Sequence, residues 1–175
     1  EACAPWLYEV LNLIAREDLV LATGHLSQEE IFCLIPEAAK QGVKRIIVTH
    51  PFYKVTNMSV NDQKELDHVC SRVIGNRRDR KQFKMYFEYC YTGKTIDGIP
   101  FDRYAEGIKE LGPQKIILSS DAGQIKWPRD LNGQKLPEGN TIPALHLADC
   151  WDRFVEDMGN ELEISDRKEF MRIIK

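Results

Sequence analysis

Long apolar runs are missing from this chain. None approaches the roughly 20 consecutive residues that span a bilayer, and the opening stretch EACAPWLYEV lacks the charged-then-apolar layout of a secretion signal. These absences predict a cytoplasmic protein with no membrane partner. Charge of one sign is also missing: 24 Lys and Arg face 27 Asp and Glu, a formal net charge of −3. That excludes a global basic field for nucleic acid. The one dense basic cluster, Arg77-Arg78-Asp79-Arg80-Lys81, reads as a solvated loop. Cysteines are few and odd in number, five in all, scattered at Cys3, Cys33, Cys70, Cys90 and Cys150 in apolar surroundings. They predict reduced core thiols and neither a disulfide framework nor a zinc knot. A single glycine, Gly24, follows the first apolar strand, so there is no Gly-rich phosphate loop and nucleotide binding is discounted.

What is present is enough for one packed domain over residues 1–175, with 43% apolar side chains. Trp6, Leu7, Val10, Leu11 and Ile14 make a helical stripe over Pro5–Arg16, with Pro5 suited to the first turn. A short apolar strand follows at 19–23. Ser27 and Glu30 have the capping-box spacing, predicting a helix that stops near Gly42. The cycle then repeats. Strands are expected at Arg45–Thr49, 83–88 and 115–121, with helices at 59–73 and Phe101–Leu111 between them. Residues 122–140, rich in Gly, Pro and Lys, read as a long loop, followed by helices at 142–158 and from Ser165. Alternating strands and helices, with crossovers long enough for a helix, predict α/β architecture with parallel pairing and right-handed crossovers.

Each predicted strand ends in a group able to bind metal or carry a proton: His25, His50, Glu88 and Asp121, separated by 25, 38 and 33 residues. In a parallel sheet these C-terminal ends lie on one face. Two imidazoles and two carboxylates there suit a divalent ion such as zinc, manganese or iron as cofactor. Such an ion lowers the pKa of a water it binds, which then attacks a polarised carbonyl or phosphoryl group. Asp121 is the natural proton acceptor, hence the catalytic candidate. Each residue also has a plain structural reading. His25 can be a turn residue satisfied by Thr23 or Ser27, and His50 precedes Pro51. Glu88 can pair with Lys94 or Arg103, and Asp121 sits in a turn-favouring Ser-Asp-Ala-Gly. His68 reads as a surface residue, and His146 as a packing or capping residue near Asp149. Phe52 and Trp127, just past two strand ends, are candidates to line a small-molecule pocket or to cover it without contact. Lys126 and Arg129 are loop cations with the same two readings towards an anionic group.

VLATGHLS-x-x-E, RIIVTHP, FEY and KIILSSDAGQ, in this order, resemble the C-terminal half, strands five to eight, of a TIM (β/α)8 barrel of the amidohydrolase superfamily. More closely, they resemble an uncharacterised family of predicted metal-dependent hydrolases within it, over residues 6–158. The resemblance implies hydrolysis of an amide, ester, lactone or phosphoester. It implies metal binding by His25 and His50, the histidines after the fifth and sixth strands. Asp121, after the eighth, then contacts metal and shuttles the proton of the attacking water; Glu88 has no fixed role. The chain departs from the pattern in lacking the first strand's His-x-His, since no two of His25, His50, His68 and His146 are two residues apart. The fourth-strand ligand is missing too. A half-length product, one subunit of a split enzyme and a fragment remain open. A half barrel has open sheet edges and an uncovered apolar face, so a homo-oligomer or a complementary half-barrel chain is expected. The alternative function is a non-catalytic α/β half-barrel subunit that assembles with such a partner.

Overall fold

A computed structural model describes residues 4–75, 81–123 and 126–164. The helix expected from Ser165, and all of the basic cluster but Lys81, lie outside the described residues. The elements run α1 (Pro5–Arg16), β1 (Val20–Ala22), α2 (Gln28–Lys40), β2 (Arg45–Thr49), α3 (Val60–Ile74), β3 (Lys84–Cys90) and α4 (Thr92–Ile96). They continue with α5 (Phe101–Leu111), a 3-10 turn (Pro113–Lys115), β4 (Ile116–Ser119), β5 (Lys126–Trp127), β6 (Ile142–Pro143) and α6 (Leu147–Glu161). The strands β1 to β4 form one four-stranded parallel sheet in the order β1-β2-β3-β4, the order of the chain. In β1 and β2, Val20 pairs with Arg45 and Ala22 with Ile47. This is the α/β architecture expected of βα repeats.

The chain divides into two compact units. The first comprises Glu1–Pro51 and Val55–Phe87, the second Phe52–Lys54 and Glu88–Lys175. In the first, α1 starts on Pro5, whose missing N–H costs nothing at a helix start, and buries Leu11 completely. The helix α2 opens with a reciprocal capping box: Ser27 Oγ accepts from Glu30 N–H, and Glu30 Oε2 accepts from Ser27 N–H. Ser59 and Asp62 do the same for α3. These two helices pack on each other. Ile31, Ile35, Leu66 and Cys70 are buried with Ile46 and Val48 of β2, each large side chain contributing about 1.5–3 kcal/mol. A second apolar stripe on α1, Trp6, Val10 and Leu13, is exposed, as are Leu19 and Val20 of the edge strand region.

The second unit is built on aromatic packing. Gly107 brings α5 onto Tyr89, since a Cβ there would lie 2.1 Å from its hydroxyl. Phe52, Tyr89 and Tyr104 meet at centroid distances of 4.9–5.3 Å, and Phe154 of α6 lies 5.0 Å from Phe101. The C-terminal part departs from expectation. Residues 122–140 are not one loop: β5 pairs antiparallel with β6, Trp127 opposite Ile142. Beyond it, Asp130 Oδ1 closes a turn by accepting from Asn132 and Gln134 N–H. The helix expected at 142–158 starts only at Leu147, with His146 as its N-cap residue. A residue before proline favours extended backbone, and Ile142 precedes Pro143, so strand pairing takes this segment. Among the described residues, no helix is long and apolar enough to cross a membrane.

Candidate functional site

In the first unit the pairing of β1 with β2 is continued past Ala22 by side chains. Thr23 N–H donates to Ile47 O at 3.0 Å, and the buried Thr23 Oγ1 accepts from Thr49 N–H at 3.0 Å. Gly24 N–H donates to Thr49 Oγ1 at 3.3 Å. Gly24 then turns the chain with φ of +60°, a conformation open to glycine without steric cost. At the end of β2, His50 has φ of +33°, unusual for a residue with a Cβ. The result is an imidazole pair, His25 and His50, with ring centroids 4.6 Å apart and planes inclined at 56°. His50 is buried while His25 is exposed. Thr56 Oγ1 donates to Leu26 O at 3.2 Å and Met58 N–H to Pro51 O at 2.8 Å, fixing the loops on either side. Thr23 and Ser27, the residues able to satisfy His25 locally, direct their side-chain oxygens to backbone amides instead.

The pair can supply two nitrogen ligands. A structural zinc site takes four protein ligands and a catalytic one three. Among the described residues, no group of three His, Cys, Asp or Glu side chains is arranged to hold a metal ion. His25 and His50 therefore fit part of a ligand set.

In the second unit Asp121, two residues past β4, also has positive φ, +48°. Its Oδ2 lies 3.1 Å from Tyr53 Oη and 3.2 Å from Thr92 Oγ1, and these two hydroxyl oxygens are 2.6 Å apart. Tyr53 and Thr92 are buried while Asp121 is exposed. Burial, with a smaller contribution from Cys90, pushes the Tyr53 phenol far above its ordinary value, so it remains a proton donor. Glu88 is half-buried in β3. Of its expected partners, Lys94 reaches Asp157 at 3.1 Å and Arg103 lies 4.9 Å from the centre of the Phe52 ring.

The other expected site residues are placed as follows. Phe52 and Trp127 are both buried, Phe52 among Tyr89 and Tyr104 and Trp127 against Tyr91 at 6.1 Å. Arg129 donates to Ile96 O and Gly133 O, and Lys126 is exposed. His68 lies exposed on α3. A cavity of about 250 Å³ in the second unit is lined by residues including Lys94, Phe101, Asn132, Asp157 and Asn160, and none of the expected site residues borders it. Sequence reasoning missed Tyr53 and Thr92. The available signal was polar side chains just past a strand end: Tyr53 lies four residues after β2 and Thr92 two after β3.

Compared with known proteins, residues 1–71 match the sequence model of a family of unknown function, DUF6282. The matched stretch carries β1, β2 and both histidines of the pair. No curated protein and no solved structure matches the chain.

Proposed function

We propose that the chain belongs to a metal-dependent hydrolase of the amidohydrolase type, acting on a small amide, ester, lactone or phosphoester in the cytoplasm. The imidazole pair carries the reading. Two histidines 25 residues apart in sequence are brought to a ring separation of 4.6 Å at neighbouring strand ends, one of them on strained backbone. His25 and His50 hold zinc, manganese or iron through ring nitrogens. When bound, the ion supplies a water activated for attack. Asp121 and Glu88 enter the proposal through the strand order and the sequence resemblance, Asp121 as proton acceptor and Glu88 as a further ligand. Phe52 and Trp127 shape the substrate side from within the core.

Metal content by mass spectrometry, after loading with each ion and desalting, tests this. Wild-type protein should retain stoichiometric metal and His25→Ala/His50→Ala should not. Equal retention by the two, or none in the wild type, would overturn it. The exposed stripe Trp6, Val10 and Leu13 favours a second reading, a non-catalytic subunit that assembles with a second copy or a complementary chain. That reading gains if the chain self-associates in sedimentation while binding no metal.

A further inference from the structure

We propose that Tyr53 and Thr92 are paired positioning residues that hold Asp121 as a proton acceptor, an inference that rests on the hydrolase reading above. Three oxygens form a triangle: Tyr53 Oη to Thr92 Oγ1 at 2.6 Å, Tyr53 Oη to Asp121 Oδ2 at 3.1 Å, and Thr92 Oγ1 to Asp121 Oδ2 at 3.2 Å. Two hydroxyl protons are available for three edges. The shortest edge requires a proton, because two bare oxygens at that distance repel. The remaining proton goes to the carboxylate, from Thr92 when Tyr53 donates to Thr92, and from Tyr53 when the order is reversed. Either way Oδ2 receives one charge-assisted hydrogen bond.

Both contacts fall on Oδ2, which fixes the rotation of the carboxylate and leaves Oδ1 as the oxygen proposed to take the proton. Asp121 also sits on left-handed backbone, which persists only where surrounding contacts enforce it. The Thr92 hydroxyl has a second, longer acceptor in Asp121 O at 3.5 Å, against 3.2 Å to Oδ2. Gly93 admits the Tyr53 ring, because a Cβ there would lie 2.9 Å from its Cε1. In ester hydrolysis the water oxygen bonds the carbonyl carbon and one water proton moves to Oδ1. That proton then passes to the leaving oxygen as the C–O bond breaks, and the carboxylate is restored.

The two proton arrangements make the hydroxyls redundant. Tyr53→Phe leaves Thr92 donating to Oδ2, and Thr92→Val leaves Tyr53 donating, so neither single variant should release the carboxylate. The double variant should. The experiment is a double-mutant cycle read in two ways, by crystal structures of the four proteins and by kcat and KM for p-nitrophenyl acetate with metal loaded. The expected result is an unmoved Asp121 in both single variants and a rotated carboxylate in the double. In the double, kcat should fall about 10- to 100-fold, the usual loss for a supporting shell, with KM held. Tyr53→Phe/Thr92→Ser should recover the wild-type position and rate. An unmoved Asp121 in the double variant, or additive effects of the two changes on kcat, overturns the positioning role alone. Wild-type protein without hydrolysis that depends on His25 and His50 overturns the hydrolase reading, and the catalytic purpose of the pair with it.

Discussion

Removing one oxygen from Thr23 tests whether side-chain lacing holds the imidazole pair together. Thr23→Val keeps the shape and deletes the Oγ1 that accepts from Thr49 N–H at 3.0 Å. Thr23 is only 6% exposed, so water has little room to replace the lost acceptor. An orphaned backbone donor in such a place costs about 1–3 kcal/mol. In a chain of this size each kcal/mol lowers Tm by roughly 2–4 °C, so a fall of about 2–12 °C is expected. Thr49→Val is the matched control. It removes the acceptor of Gly24 N–H, a longer contact of 3.3 Å at a half-buried residue, and should cost less than about 1 kcal/mol. Urea unfolding of both variants at a shared m-value reads the difference. On the proposed hydrolase reading, Thr23→Val should also weaken metal retention, because Thr49 adjoins His50 and Thr23 lies two residues before His25. The reasoning is refuted if Thr23→Val costs no more than Thr49→Val, or if both lie within about 0.5 kcal/mol of wild type, the range of ordinary surface changes.

Two more outcomes follow from local conformation and charge. His50 has φ of +33°, where a Cβ costs about 1–2 kcal/mol and glycine none, so His50→Gly should be the more stable of His50→Gly and His50→Ala in urea unfolding, by up to about 1 kcal/mol once glycine's entropy is counted. A more stable alanine variant would show the backbone there to be unstrained. The Ser59 hydroxyl holds the Asp62 carboxyl below the ordinary carboxylate value of 3.8. The sign is that of a depressed acid: its stabilisation is complete above that unfolded value and is lost as pH falls through the lower folded value. Ser59→Ala should therefore cost about 1 kcal/mol near neutrality, and its gap from wild type should narrow below pH 3.8; a gap independent of pH would count against the Ser59–Asp62 coupling.

Local chemistry made much of the fold legible. Ser27 with Glu30 announces α2, and the box closes as the spacing requires. Gly112 ends α5 with φ of +86°, which is why Leu111 is its last residue. Arg45–Thr49 is a strand with the expected bounds. What stayed hidden depends on contacts distant in sequence. Residues 126–127 and 142–143 are too short to show a strand period, and they form strands because Trp127 is buried and Ile142 lies opposite it. The single turn of α4, Thr92–Ile96, follows β3 with only Tyr91 between them and has no capping side chain to announce it. Tyr53 and Thr92 were invisible as partners of Asp121 because 68 and 29 residues separate each from it. The histidines were easier, since parallel neighbours in sequence order place successive strand ends side by side.

The backbone at these strand ends bears on the choice between a chemical and a merely structural role. Five described residues other than glycine have positive φ: Asp18, His50, Asn57, Asp121 and Glu163. Four of them, Asp18, Asn57, Asp121 and Glu163, are exposed, where a polar side chain keeps its access to water. His50 differs in being 2% exposed. Burying an imidazole costs solvation, and holding it on left-handed backbone adds strain, so a turn that needed only the backbone shape would be more stable with glycine. Both penalties fall on the residue whose ring meets His25. On the proposed reading, metal ligation beside the exposed His25 is the role that offsets them.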